Sequence, residues 1–155
     1  MESIHNIKQR YRAKSMRDVV SRLERLVVKK NEELARLGDF ISLATGMSTK
    51  VYRGTGPHTP HDPGDLGCGR YHTTNKERAY NYGNVEEHYV RFDNPLVMRE
   101  GDAYTQIADR FNTIHASDRK AACLDAMAWV KEQGHDGVVS LGQDGSCEVV
   151  AYPEI

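Results

Sequence analysis

The sequence predicts an α+β domain with mixed or antiparallel strands, and three observations carry that reading. Helical periodicity dominates the first third of the chain. Short β-branched and aromatic runs dominate the rest. Gly and Pro punctuation is too frequent, and crossover helices too few, for a regular alternating parallel sheet. The length of 155 residues suits one domain, and 39% hydrophobic with 28% charged residues is a globular balance.

Taken in chain order, Ser15 to Leu37 reads as a helix. Met16, Val19, Val20, Leu23, Leu26, Val27, Leu34 and Leu37 recur near helical spacing and share one face. Ser15 with Asp18 resembles a capping pair, and Gly38 is the expected stop. Lys8 to Lys14 is read either as a separate short helix or as an arm. Lys50-Val51-Tyr52-Arg53 reads as a strand ending at Gly54, followed by a loop from Gly54 to Gly69 rich in Pro and Gly. Arg70 to Thr73 is extended. Asn75 to Tyr82 is a short helix capped by Thr74 or Asn75. His88 to Phe92 is a strand broken at Asn94-Pro95 and resumed by Leu96-Val97-Met98. Ala103 to Phe111 is helical, and Ser117 to Gln133 is a helix capped by Ser117 or Asp118 and stopped at Gly134. Gly137 to Ser140 is a buried strand, Gln143-Asp144-Gly145 a turn, and Glu148 to Tyr152 the last strand. The domain expectation is an N-terminal helical segment, 1–46, beside one compact unit, 47–155.

Charge and cysteine content bound the partners and the compartment. The net charge is −1, yet Lys and Arg outnumber Asp and Glu before residue 46. Such a basic arm suits nucleic acid or an acidic partner, and equally a solvated helix face. Cys68, Cys123 and Cys147 have no metal-like spacing and read as free thiols. No apolar run approaches the roughly 20 residues of a membrane span. The first residues lack the basic-then-apolar pattern of a secretion signal, so a cytoplasmic protein is expected, with signal-independent export into a host cell left open. His58, His61, Cys68 and His72 are too loosely spaced for zinc, and no metal is expected. His135-Asp136 reads as a turn, and Trp129 as a core residue.

Three segments carry chemistry: Val51-Tyr52-Arg53-Gly54-Thr55; Gly67-Cys68-Gly69-Arg70-Tyr71-His72-Thr73-Thr74, running on to Tyr80-Asn81-Tyr82-Gly83; and Gly145-Ser146-Cys147-Glu148-Val149-Val150. Their order and content resemble the ADP-ribosyltransferase superfamily over roughly residues 50–155. In that family a first strand carries Arg or His before Gly and Ser or Thr, a second carries an aromatic before Ser or Thr, and a late strand opens with a catalytic Glu. Gly67 to Gly83 is similar to the poly-ADP-ribose polymerase version, with Tyr71 and Tyr82. The stretch from Gly134 to Val138 with the Glu148 strand is similar to the tail of phage and bacterial members. Arg53 stands where the polymerase branch has His, and Ser146 stands where arginine-modifying toxins carry a second Glu. The signature is mixed Arg/Tyr/Glu, and it leaves the acceptor unassigned.

What the resemblance implies is a split mixed or antiparallel sheet with N-terminal helices, a cleft between two small sheets, and NAD⁺ as co-substrate without a metal. Catalysis would fall to Glu148, Arg53 and Tyr71. NAD⁺ would be bound by Arg53, Gly54, Thr55, Tyr71, Thr73, Thr74 and Tyr82. The chemistry fits these residue types. Breaking the bond to nicotinamide builds positive charge on the ribose, which a fixed carboxylate stabilises most in the transition state. An arginine fork suits the pyrophosphate, and tyrosine faces suit a cationic ring. The expected function is a mono-ADP-ribosyltransferase, of a kind found in phage and bacterial effectors, acting on a host protein or nucleic acid. The alternatives on the same fold are NAD⁺ hydrolysis, removal of an RNA 2′-phosphate, and a binding module without turnover.

Overall fold

A computed structural model describes residues 3–55 and 63–153 of the chain. Its contacts separate two compact units, Met1–Ala35 and Arg36–Ile155. The first helix, α1, runs unbroken over Ile4–Ala44. It contains the Lys8–Lys14 stretch and passes through both Ser15 and Gly38, so neither the expected cap nor the expected stop operates. A single mid-helix glycine costs only about 1 kcal/mol. Phe40 and Leu43 lie beyond it and pack into a hydrophobic cluster of the second unit, which holds the helix past the glycine. In the first unit the helix keeps its apolar side chains in solvent: Met16, Leu23 and Val27 are all exposed. Among the described residues no helix is long and apolar enough to cross a membrane.

The second unit is built on one six-stranded sheet. In chain order its strands are β1 (Thr49–Gly54), β4 (Arg70–Thr73), β5 (Val85–Val90), β6 (Leu96–Arg99), β7 (Gly137–Leu141) and β8 (Cys147–Ala151). A separate two-stranded ribbon pairs β2 (Pro63–Gly64) with β3 (Gly67–Cys68). The large sheet is ordered β5-β1-β4-β8-β7-β6. All neighbours are antiparallel except β6 with β7. This α+β class is the expected one. The expected resumption of one strand across Asn94-Pro95 is not what forms, because β5 and β6 lie at opposite edges of the sheet. Asp136 fixes the crossing: its carboxylate accepts hydrogen bonds from the amides of Asp93 (2.8 Å) and Asn94 (3.2 Å). The His135-Asp136 turn is thus an anchor for the chain as it leaves β5.

The expected pair of separate sheets is also corrected. The two halves join, but by one residue pair only, Tyr52 of β1 with Thr73 of β4. By contrast β1 pairs with β5 along its whole length. The sheet is therefore narrow at the β1–β4 seam.

Alternation along the strands divides the core in two. Val138 and Val150 point to one face and join Leu66, Ile107, Ala126, Val130 and Tyr152. Ala126 and Val130 come from α4 (Arg119–Glu132), whose first turn is capped by Asp118 accepting from the Ala121 amide. Val139 and Val149 point to the other face and join Val51, Phe92 and Leu43 from the end of α1. Ile107 lies on a wide helical turn, Tyr104–Asp109, that continues α3 (Glu100–Ala103). The Gly54–Gly69 loop of the sequence reading contains the β2–β3 ribbon; its residues 56–62 lie outside the described residues.

One buried latch ties β4 to β8. The Thr74 hydroxyl accepts from the Cys147 amide (2.8 Å), and the Thr74 amide donates to the Cys147 carbonyl (3.0 Å). Thr74→Val keeps the side-chain shape but leaves the Cys147 amide unpaired. We expect a loss of about 1–3 kcal/mol in denaturant unfolding. An unchanged midpoint would show that the latch carries no stability.

Candidate active site

Strand register brings the three chemistry-bearing segments together. Glu148 of β8 faces Thr73 of β4 on one side and Ser140 of β7 on the other. Thr73 in turn faces Tyr52 of β1. The row Tyr52–Thr73–Glu148–Ser140 therefore crosses the sheet on the face that also carries Tyr71 and Val150. It abuts a cleft of about 500 Å³, within the range of small-molecule sites. The walls include Tyr52, Arg53, Gly54, Tyr71, Thr73, Arg78, Tyr82, Arg119 and Glu148.

Glu148 is half-buried. Its carboxyl is raised above the usual glutamate range, first by burial and then by the charges of Asp65 and Glu100; Arg78 opposes the shift. No side chain among the described residues donates a hydrogen bond to it. A desolvated carboxylate without a donor is costly to keep charged, and such groups gather at functional sites.

The turn before Glu148 is rigid for a definable reason. Asp144 accepts from the amide (2.9 Å) and the hydroxyl (3.1 Å) of Ser146. It also pairs with Arg78 at 3.2 Å, and the Asp144 carbonyl accepts from Arg36 at 3.4 Å. Burial alone would raise the Asp144 carboxyl, but the Ser146 bonds and the two guanidinium groups outweigh it and hold it below the usual range. Arg78 sits in the first turns after Asn75, whose side chain caps α2 (Lys76–Ala79) by accepting from the Glu77 amide. One guanidinium thereby spans the Asp144 turn and the cleft.

Tyr71 lines the cleft, but its hydroxyl is committed to the protein. It donates to the Gly67 carbonyl (2.6 Å) and accepts from the Leu66 amide (3.0 Å). Burial raises its phenol far above the ordinary value. Gly64 lies directly over the ring, with no room for a β-carbon against it. Gly54 makes a comparable close approach: a β-carbon there would meet the Ala79 carbonyl and the Tyr82 backbone. This lets the chain after α2 close one wall, leaving Tyr82 63% exposed at the rim.

The remaining expected residues divide. Thr73 is in the row, and its hydroxyl accepts from the Asn75 amide (3.0 Å). Thr74 and Thr55 are not in the cleft wall. Thr74 is the buried latch to Cys147, and the Thr55 hydroxyl donates to the Asn84 carbonyl (2.9 Å). Arg53 reaches the cleft from the end of β1, but alternation puts it on the side of Val51 and His72, so Tyr52 takes its place in the row with Glu148. His72 is buried, with Nδ1 unpartnered. Burial, then His88 and Arg53, pushes it down to about 4, so it is neutral.

Sequence reading missed Tyr52, Asp65, Arg78 and Arg119. Arg119 donates to the Asp65 carboxylate (3.0 Å) and the Thr113 carbonyl (3.0 Å), linking the β2–β3 turn to α4. No local pattern marks these residues; only the tertiary fold brings them to Glu148. Among the described residues no three His, Cys, Asp or Glu side chains gather as a metal site requires, and His58 and His61 lie outside those residues. All three cysteines are free and buried. Compared with protein-family models, curated proteins and solved structures, the chain matches none.

The raised Glu148 carboxyl sets a pH-dependent stability. The folded state holds this proton more tightly than the unfolded state, so stability falls as pH rises from the ordinary glutamate range through the folded-state pKa. Glu148→Gln removes that penalty. The variant is expected to be more stable than the parent at neutral pH, with the difference vanishing below the ordinary glutamate range. Denaturant titrations across pH would refute this if the two proteins showed parallel stability curves.

Proposed function

We propose that the chain is a mono-ADP-ribosyltransferase that cleaves NAD⁺ and transfers ADP-ribose to a macromolecule, protein or nucleic acid, with release of nicotinamide. The observation that carries the reading is Glu148: a half-buried carboxylate to which no described side chain donates a hydrogen bond, in a cleft that also presents arginine and tyrosine side chains. The resemblance of the three segments to the ADP-ribosyltransferase superfamily supplies the reaction. The register that places them around one cleft supports it.

The residues divide the work by charge. Arg78 and Arg53 offer guanidinium forks for the pyrophosphate. Tyr82 at the rim and the Tyr71 ring offer aromatic faces to the nicotinamide. Glu148 lies where positive charge develops. As the bond between the ribose anomeric carbon and the nicotinamide nitrogen breaks, its electron pair neutralises the pyridinium and nicotinamide leaves. The ribose carbon becomes cationic, and the carboxylate stabilises it more than it stabilises intact NAD⁺. The acceptor's lone pair then forms the new bond, and its proton passes to Glu148 and on to solvent. A carboxylate with a raised pKa is the better base for that last step.

The protein and its Glu148→Gln variant, incubated with NAD⁺ and a cell extract, test the proposal through free nicotinamide and covalently bound ADP-ribose. The parent should release nicotinamide and label a macromolecule. The variant should lose both by roughly 10²–10³-fold, the scale for removing one electrostatic contact in a transition state. Release without label would identify a glycohydrolase. No release with intact fold would refute NAD⁺ chemistry. The pH profile adds a check. Activity should rise with pH through a single ionisation above the usual glutamate range, since ionised Glu148 is the active form. A profile flat across that window would remove Glu148 from the mechanism.

A further inference from the structure

The first unit presents an apolar face that stays exposed among the described residues. Met16, Val19, Val20, Leu23, Leu26 and Val27 on α1 are each 43–58% exposed. Positions 16, 20, 23 and 27 are spaced four, three and four apart. That spacing makes a continuous apolar stripe of the kind a helix offers to another helix. Valines 20 and 27 occupy one seam position of each heptad, and Met16 and Leu23 the other. Val19 and Leu26 widen the seam along one edge. Arg17 and Glu24, one heptad apart, line the opposite edge. Neither has an ion-pair partner among the described residues.

We propose that this face docks a second copy of the chain as an antiparallel helix pair centred between Val20 and Leu23. Two features select that arrangement. In the antiparallel pair Val20 packs on the partner's Leu23 and Met16 on the partner's Val27, while like edges meet. The apolar edge then closes on itself, Val19 against the partner's Leu26. The charged edge sets Arg17 against the partner's Glu24, twice by symmetry. A parallel pair would instead set Val19 beside Glu24, burying an apolar side chain against a carboxylate. A one-heptad slide of the antiparallel pair would bring Glu24 opposite its own copy. Charge complementarity therefore picks both direction and register. Two such faces together remove on the order of 1,000 Å² from solvent, the size at which specific interfaces begin.

The test uses the full chain in sedimentation and light scattering over a dilution series, with helix content followed by circular dichroism. The parent should show twice the chain mass at high concentration and dissociate on dilution. Leu23→Lys changes a solvent-exposed side chain, so it should keep the helix and run as a monomer. Arg17→Glu alone, or Glu24→Arg alone, should shift the equilibrium to monomer by placing like charges opposite one another. The two reversals in one chain should restore the dimer. A monomeric parent at every concentration, a dimer that survives Leu23→Lys, a mass of three or four chains, or a double reversal that fails to restore pairing would each overturn the proposal. None of these substitutions touches the cleft, so nicotinamide release reports separately on the proposed chemistry.

Discussion

A carboxylate to which no described residue donates a hydrogen bond must be held by its backbone, and the architecture of the second unit follows from that constraint. Glu148 stands between β4 and β7, with the Thr74–Cys147 latch immediately before it and the Asp144–Ser146 turn before that. The latch satisfies the Cys147 amide from a side chain, where a ladder bond would leave the position dependent on strand pairing alone. The turn folds back on the Asp144 carboxylate and is tied to α2 by Arg78 and to the end of α1 by Arg36. Cys147 and the turn before it are thereby fixed by Thr74, Arg78 and Arg36, and no described side chain donates to the Glu148 carboxylate. Ties of this kind place the cost of ordering the site in folding.

The cost is visible in the charges. Asp65 and Glu100 stand close enough to raise the Glu148 carboxyl, while Arg78 draws it back. If stability alone had shaped the site, Arg78 would pair with Glu148. Its pairing with Asp144 leaves the two charges within mutual influence but unbonded. The guanidinium then serves the turn and the cleft together. A second ion pair, Asp65 with Arg119, ties the β2–β3 ribbon over Tyr71 to the start of α4. At roughly one-third to one-half exposure these pairs contribute little net stability. Their effect is geometric: each joins a loop at the cleft to a helix.

Much of the second unit was legible because its signals are local. The Asp118 cap and apolar spacing define α4, and the β-branched runs define β7 and β8. Two readings failed where distant packing decides. Gly38 reads as a stop, yet Phe40 and Leu43 beyond it are claimed by a core assembled from β1, β7 and β8. His88–Phe92 and Leu96–Met98 read as one interrupted strand, yet Asp136 pins the chain between β5 and β6, which lie at opposite edges. The site divides in the same way. Glu148, Tyr71, Thr73 and Tyr82 were readable from residue type and order. Arg53 lines the cleft as expected, but Tyr52 is the β1 residue in the row with Glu148, because strand parity is fixed only once register is known. Arg78, Asp65 and Arg119 carry no local signal, since their places depend on helix and turn contacts across the fold. Thr55 and Thr74 had the right chemistry for a ligand but are spent on the chain itself.

The glycines of the motifs lead to a different account of why such short signatures mark a cleft. Read from sequence, Gly54 makes room for a ligand. In the fold that room is taken by the chain: the Tyr82 backbone and the Ala79 carbonyl lie where a β-carbon would be, and the Tyr71 ring lies against Gly64 in the same manner. Each glycine lets one cleft wall close on a strand. The first brings Tyr82 to the rim; the second presses the β2–β3 ribbon onto Tyr71, whose hydroxyl then bonds Leu66 and Gly67. A larger residue would push its wall outward, at Gly54 against the Ala79 carbonyl and Tyr82, at Gly64 against the Tyr71 ring and hydroxyl. Gly54 and Gly64 therefore set the shape of the cleft, while its charges come from other residues, Glu148, Arg53, Arg78 and Arg119. Shape and charge are written in different residues, which is how the charged set could be mixed in type while the glycine–tyrosine pattern still frames one pocket.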